Sequence, residues 1–100
     1  MGRGARRFGK VQGGVRGGTY WNWLYVEWLW VAEAWRRRGT GSRLLRQAEQ
    51  IARNRGCVGV YLDTFSFQAP GFYRKQGYKK IGQLAGLPPG SARIWFSKAL

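Results

Sequence analysis

The feature that most limits how this chain can fold is a long apolar segment that runs directly into a basic, glycine-containing loop. Trp23–Val31 has apolar residues on both parities and contains no Gly or Pro. Such a composition predicts a central strand covered on both faces. The polar connection Ala32–Arg38 follows, and Gly39–Ser42 then opens a helical pattern. The chain is therefore expected to pass from a buried strand through a short loop into a helix.

The helical pattern is amphipathic and is followed by a second apolar run. One face carries Leu44, Leu45, Ala48, Ile51 and Ala52. Glu49 and Arg53, four residues apart, are expected to pair on the opposite, solvent-facing side. Gly56 ends the helix, and Val58–Leu62 predicts a short, buried parallel strand. Together these segments predict a strand–helix–strand crossover.

The rest of the chain predicts further small elements of one α/β domain over residues 1–100. In order, they are a loop at Thr64–Gln68, a short helix at Ala69–Gln76, and strands at Tyr78–Leu84 and Ala92–Lys98. The first 18 residues hold seven Gly and five Lys or Arg. They predict either a flexible basic arm over residues 1–8 or a weak first strand around Phe8–Val15. Both alternatives stay open.

Composition excludes several classes of protein. Cys57 is the only cysteine and the chain has no His, so zinc sites of the Cys/His type and nucleophile–histidine pairs are ruled out. No apolar run approaches the roughly 18–20 residues of a membrane span. No apolar segment follows the N-terminal arginines as it would in a secretory signal. We therefore expect a cytoplasmic protein with no membrane partner.

The charge is strongly one-sided. Eighteen Lys and Arg against four acids give a formal net charge of +14, which attracts polyanions. One explanation is nucleic-acid binding. The other is a phosphorylated cofactor, with the remaining cations on a solvated surface. Composition does not decide between them.

The run Arg36-Arg37-Arg38-Gly39-Thr40-Gly41 lies between the predicted strand and the predicted helix. A helix N-terminus offers unpaired backbone N–H groups and a partial positive charge. Glycines allow a phosphate to approach these donors closely, and neighbouring arginines add charge-assisted hydrogen bonds. The arrangement is typical of a pyrophosphate-binding site.

Two segments resemble signatures of the GNAT superfamily of N-acetyltransferases. The first is Leu29-Trp30-Val31 followed by Arg36-x-x-Gly39-x-Gly41, which matches a strand end and an R/Q-x-x-G-x-G/A loop. The second is Ala69-Pro70-Gly71-Phe72-Tyr73-Arg74-Lys75-Gln76-Gly77-Tyr78, which matches A-x-x-F-Y-x-K-x-G-F/Y. The two segments occur in the family's order, and the resemblance covers about residues 9–100.

The resemblance implies a fold and a reaction. The GNAT fold is an α/β fold with a mixed, mostly antiparallel sheet around a central strand–helix–strand unit. The family transfers the acetyl group of acetyl-CoA to a primary amine by direct attack. The residues that match its pyrophosphate site are Arg36, Arg37, Arg38, Gly39, Thr40, Gly41 and Ser42. The backbone of Leu29 and Val31 would pair with the pantetheine arm in the splay between two strands, and Tyr73 matches the general acid.

The reaction also needs a general base, because an attacking amine must first lose its proton. Without His, the acids Glu27, Glu33, Glu49 and Asp63 are the candidates. Glu27 is preferred because it lies on the central strand, four residues before Val31 and on the same parity. Glu49 is expected to face solvent, away from the site.

The chain also departs from the family pattern. The resemblance implies a first strand and two helices that this sequence lacks, since it has almost nothing ahead of Phe8. A bare sheet edge and an apolar face seek partners, so we expect a homodimer. The acceptor is expected to be a small-molecule or peptide amine. The alternatives are a CoA-binding remnant without catalysis and a basic module that binds nucleic acid.

Overall fold

The computed structural model describes residues 6–7 and 10–100, with side chains from Gln12 onward. Seven strands and two α-helices follow one another in this part of the chain. The strands are β1 (Arg6–Arg7), β2 (Lys10–Val11), β3 (Gly13–Tyr20), β4 (Trp23–Val31), β5 (Gly59–Phe65), β6 (Lys79–Ala85) and β7 (Ala92–Ala99). The helices are α1 (Thr40–Asn54) and α2 (Pro70–Lys75), and a single 3-10 turn spans Glu33–Trp35.

Five strands form one mixed sheet in the order β3-β4-β5-β7-β6. Strands β4 and β5 run parallel, whereas the other neighbours are antiparallel. The expected mixed, mostly antiparallel sheet with a strand–helix–strand unit is confirmed. The two-residue strands β1 and β2 pair with each other.

Both helices contribute to a single hydrophobic core with one face of the sheet. Its fully buried side chains include Leu24, Leu44, Leu45, Val60, Leu62 and Phe96. Gly39 is the N-cap of helix α1 and Gly56 follows its C-cap, and both glycines have φ near +77°, where other residues are strained. No helix of the described residues is long and apolar enough to cross a membrane.

Strand β4 has the predicted bounds, but its predicted cover on both faces is wrong for its second half. Arg16 is paired with Trp28 and Gly17 with Val26, so Glu27 is an extra residue that forms a bulge. A bulge reverses the alternation of the side chains that follow it. Trp28 and Trp30 consequently face away from the helices and are 42% and 43% exposed.

The predicted solvent position of Glu49 is also wrong. Its side chain is buried, accepts a hydrogen bond of 2.7 Å from the Tyr78 hydroxyl, and lies 3.1 Å from Lys98 Nζ. The helix turns this position toward β7 and the end of α2, and the two partners compensate its burial. Arg53 remains exposed.

Two smaller predictions need comment. Strand β5 continues to Phe65, because Thr64 and Phe65 pair with β7, so the loop predicted at Thr64–Gln68 starts two residues too early. Of the predicted N-terminal arm, residues 1–5 and Phe8 lie outside the described residues. Arg6–Arg7 forms β1, and the strand expected around Phe8–Val15 corresponds in part to β2 and the start of β3.

Candidate active site

The sheet opens between its two parallel strands. Strands β4 and β5 pair only from Trp23 with Gly59 to Val26 with Leu62. Beyond that point β5 continues along β7, while β4 continues along β3 through the bulge at Glu27. The two strands therefore separate and leave a gap in the sheet at their carboxyl ends, as expected.

A cleft of about 330 Å³ occupies this gap. We call it the splay cleft. Its lining residues come from β4, β5, the following loop and α2, and they are Val26, Glu27, Trp28, Leu29, Asp63, Thr64, Phe65, Gln68, Ala69 and Tyr73. Three sequence-predicted site residues, Glu27, Leu29 and Tyr73, are thus brought to one cleft. The cleft also holds two of the chain's four carboxylates, Glu27 and Asp63, although the chain has a net charge of +14.

Tyr73 enters the splay cleft from the helical side of the sheet. Its ring is buried and packs edge-on against Phe72 and Tyr78. Among the described residues, its hydroxyl has no side-chain hydrogen-bond partner. Burial, followed by the negative charge of Asp63, raises the pKa of Tyr73 to about 12. Its proton is therefore retained at neutral pH.

Glu27 is held loosely. Its carboxylate lies 3.4 Å from Arg16 Nε, and the two side chains are 53% and 67% exposed. An ion pair as exposed as this one contributes little to stability. Glu27 is therefore free to move within the cleft and to exchange Arg16 for another partner.

Asp63 is held firmly on the opposite strand. Its Oδ1 accepts a hydrogen bond from the Tyr25 hydroxyl and its Oδ2 accepts one from Arg93 Nε, both at 2.7 Å. Burial, and then this bond to Asp63, raises the pKa of Tyr25 to about 12, so Tyr25 stays a donor. Sequence reasoning considered Asp63 only as a candidate base. It missed Tyr25 and Arg93, because their meeting depends on the register of three strands.

A second cleft of about 490 Å³ lies at the start of α1. We call it the phosphate cradle. Its lining residues are Val31, Trp35, Arg36, Arg37, Gly39, Thr40, Gly41, Ser42, Phe72 and Lys75. Most of the residues predicted to bind pyrophosphate lie here. Arg38 does not line the cradle, since its guanidinium stacks over the Trp35 ring with 5.2 Å to the centroid.

The cradle is built to receive an anion. The first N–H groups of α1 have no partner within the helix, and neither Gly39 nor Gly41 carries a bulky or charged side chain that would block access to them. Arg36 Nε donates to the Val31 carbonyl at 3.1 Å, which holds this arginine beside the end of β4. Leu29 lines the splay cleft and Val31 the cradle, so the two clefts adjoin along β4. An extended molecule with a phosphorylated end fits this arrangement.

Comparison with known proteins identifies the class. Residues 3–78 match the acetyltransferase (GNAT) family, and the chain belongs to this family. It is 45% identical over 83 residues to a blasticidin-S acetyltransferase of Streptomyces morookaense, covering 82% of this chain and 61% of that protein. It is 44% identical over 88 residues to the acetyltransferase Atu2258 of Agrobacterium fabrum, covering 88% and 64%. The chain thus spans about three fifths of the length of these curated relatives.

Solved structures agree on the fold. A crystal structure of an acetyltransferase from Bacillus cereus superposes with a TM-score of 0.92 at 43% identity, covering 98% of this chain and 70% of that one. A Bacillus anthracis protein, assigned as a streptothricin acetyltransferase and solved with acetyl-CoA, gives 0.83 at 27% identity. The latter comparison covers 94% of this chain and 58% of the Bacillus anthracis chain. The GNAT fold inferred from the two sequence motifs is confirmed.

Proposed function

We propose that this chain binds acetyl-CoA and transfers its acetyl group to a primary amine. The observation that carries the proposal is the splay cleft, which joins a protonated phenol and a mobile carboxylate and adjoins the phosphate cradle. Acetyl-CoA would supply an activated acetyl thioester, whose thiol is the leaving group. A cytoplasmic location is proposed with it, because the acetyl donor is an intracellular metabolite.

The cofactor-binding roles follow the geometry of the two clefts. The pyrophosphate would accept hydrogen bonds from the backbone N–H groups at Gly39–Ser42 and from the side chains of Arg36, Arg37 and Lys75. The backbone of Leu29 and Val31 would pair with the pantetheine arm, as in strand addition. Arg38 would act through its charge, since its guanidinium lies on Trp35.

Tyr73 is proposed as the general acid. As the amine nitrogen forms its bond to the acetyl carbon and the carbon–sulfur bond breaks, the departing thiolate takes the proton of the Tyr73 hydroxyl. The Tyr73 phenolate then regains a proton from the nitrogen of the new amide. A thiol has a pKa of about 8.5, below the pKa of about 12 for Tyr73, so Tyr73 still carries its proton when the thiolate forms. The transfer itself is drawn forward by the proton that the phenolate regains from the amide nitrogen. The buried position of the ring fixes the hydroxyl at the cleft wall, where a hydrogen bond to sulfur is strongest.

Glu27 is proposed as the general base, with Asp63 as a positioning group. Both carboxylates line the cleft, but both oxygens of Asp63 already accept short hydrogen bonds, whereas Glu27 has one exposed, long contact. A base needs a free lone pair within reach of the ammonium proton. Glu27 meets this requirement without breaking a buried ion pair.

The acceptor is proposed to be a small-molecule amine. The supporting fact is that the relatives include acetyltransferases named for small antibiotics, blasticidin S and nourseothricin. The splay cleft, at about 330 Å³, also lies at the small end of the volumes typical of small-molecule sites. A peptide N-terminus remains the second kind of acceptor to test.

The test is the release of coenzyme A thiol from acetyl-CoA in the presence of a panel of primary amines. Tyr73→Phe is expected to lower kcat about 100-fold, the lower end for loss of a general acid, and to leave the affinity for acetyl-CoA unchanged. Calorimetry provides the binding control. Full activity in Tyr73→Phe would remove this residue from the mechanism.

A homodimer is proposed as well. Trp28 and Trp30 are exposed by 42% and 43% on the sheet face away from the helices, and large aromatic side chains grouped in this way mark interaction surfaces. Sedimentation equilibrium should show twice the monomer mass at micromolar concentration. A double substitution of Trp28 and Trp30 to Ser should halve that mass, and a compact wild-type monomer would contradict the proposal.

A further inference from the structure

The sheet face opposite the helices carries a row of aromatic rings. We define the aromatic face as Trp23, Tyr25, Trp28, Trp30, Tyr61 and Trp95. Two glycines make room for the rings. A Cβ at Gly14 would come within 2.8 Å of Trp30 Nε1, and one at Gly59 would collide with the Trp23 ring. Val60, Leu62 and Thr64 are buried toward the helices, so Tyr61 and Asp63, which alternate with them, lie on the aromatic face.

Tyr25 and Tyr61 form a stacked pair next to Val26 and close to Asp63, two residues that line the splay cleft. The two tyrosines are register partners, and the next pair, Val26 with Leu62, is the last before the strands separate. Their ring centroids are 5.0 Å apart at an interplanar angle of 28°. Trp23 packs edge-on against Tyr61 at 6.3 Å, which braces the pair from the side away from the cleft. The three rings therefore form a packed platform beside the point where β4 and β5 begin to separate.

Asp63 and Arg93 supply a polar edge to this platform. The Tyr25 hydroxyl donates to Asp63 Oδ1, and Arg93 Nε donates to Oδ2. Arg93 is held over the Trp95 ring, 5.0 Å from its centroid. The Arg93 side chain is 34% exposed, so its guanidinium has room to donate further hydrogen bonds to a ligand. A planar group lying on the rings therefore meets the Arg93 guanidinium and the Asp63 carboxylate at its edge.

We propose that the Tyr25–Tyr61 pair and the Asp63–Arg93 pair form an acceptor subsite for an amine carried on a planar aromatic or heteroaromatic ring. The inference rests on the proposed acetyl transfer, since it names the acceptor of that site. The ring stacks on Tyr25, its polar edge faces Asp63 and Arg93, and its amine reaches Glu27 in the splay cleft. Stacking on a fixed aromatic ring favours a flat group over a saturated ring of similar size.

The test compares phenethylamine with cyclohexylethylamine, two amines of matched length that differ in the planarity of the ring. Dissociation constants come from titration without cofactor, and kcat/KM comes from thiol release. The wild type is expected to favour phenethylamine about fivefold in both measurements. The saturated ring is the more hydrophobic of the two, so equal or reversed preference would show plain apolar burial and overturn the proposal.

Matched variants of Tyr25 and Tyr61 test whether these two rings cause the preference for phenethylamine. Tyr25→Phe keeps the ring and is expected to keep the fivefold preference, whereas Tyr25→Leu is expected to abolish it. If Tyr25→Leu does not fold, Tyr61→Leu against Tyr61→Phe repeats the comparison on the second ring. A preference that persists in both Leu variants would overturn the subsite.

The two measurements separate this inference from the proposed function. A binding preference for phenethylamine without thiol release would support the subsite and contradict the acetyl transfer. Thiol release from both amines at equal kcat/KM and equal affinity would support the transfer and contradict the subsite. Absence of both binding and release would overturn both.

Discussion

The phosphate cradle and the splay cleft adjoin along β4 but are built in different ways. The cradle is formed mainly by one continuous segment, Arg36–Ser42, and its donors are backbone N–H groups at a helix start together with nearby cations. The splay cleft takes its polar side chains from β4, β5, the loop that follows β5, and α2. Recognition of phosphate is thus a local property of the chain, whereas the proposed chemistry depends on how distant elements meet. Changes in the cradle should alter binding, and changes in the splay cleft should alter rate.

The largest effect is expected from Gly41→Asp in the cradle. A carboxylate there would lie beside the pyrophosphate, and two unit charges about 4 Å apart repel by about 4 kcal/mol at an effective dielectric constant of 20. The Kd for acetyl-CoA should therefore rise on the order of 1,000-fold. Isothermal titration calorimetry measures it directly.

Gly41→Ala is the matched control for that substitution. A Cβ at this position would lie 3.4 Å from the Phe72 ring and 3.6 Å from Val31 Cγ2, which are ordinary contacts. The Ala variant should bind acetyl-CoA within a few-fold of the wild type. Equal loss in both variants would mean that shape rather than charge governs the cradle, and retained binding in the Asp variant would contradict the assignment of the cradle.

Glu27→Gln in the splay cleft is expected to have a smaller effect than Gly41→Asp or Tyr73→Phe, and to act on rate rather than binding. The amide cannot take the proton of the acceptor ammonium, and kcat at pH 7 should fall about 30-fold, with water replacing part of the function. The loss should shrink toward pH 10, where an amine with a pKa of about 10.4 becomes neutral by itself. Arg16→Gln breaks the same ion pair but keeps the carboxylate, so it should retain kcat. Equal losses in the two variants would indicate a structural ion pair instead.

The pH profile of the wild type checks the same assignment. Because burial raises the pKa of Tyr73 to about 12, its proton is present at every pH below that value. The rate should therefore rise with pH as the acceptor amine loses its proton, and should not fall between pH 7 and 10. A descending limb in that range would show that the acid is a group other than Tyr73.

Features that depend on one continuous segment were predicted well from the sequence, whereas features that depend on the meeting of distant segments were not. The bounds of β4, the glycine at each end of α1 and the helix around Tyr73 depend on local residue preferences, and the structure confirms them. The bulge at Glu27 does not follow from composition, because it results from pairing with β3. The meeting of Tyr25, Asp63 and Arg93 likewise requires the register of β4, β5 and β7.

Glu49 shows why helical periodicity alone does not predict which charged side chains of a helix are buried. A charged residue beside apolar ones on a helix is assigned to solvent unless a partner is known. Its two partners come from the residue after Gly77 and from β7, 29 and 49 positions along the chain. Neither partner carries a sequence signal that points to α1. The burial of Glu49 therefore had to be found in the structure.

The smallest effect on either cleft is expected from Glu49→Gln, because the Glu49 side chain lines neither of them. The substitution leaves Lys98 without its counter-charge, and Lys98 is 26% exposed, so water compensates part of the loss. The free energy of unfolding should fall by about 2 kcal/mol, as measured by urea denaturation.

Glu33→Gln is the matched control, because it makes the same change of charge at an exposed position. It should change the free energy of unfolding by less than about 0.5 kcal/mol. Both variants should keep kcat/KM within about twofold. A lower kcat in Glu49→Gln at unchanged stability would instead show that the Glu49–Tyr78 bond positions Tyr73, whose ring lies edge-on against Tyr78 at 6.0 Å.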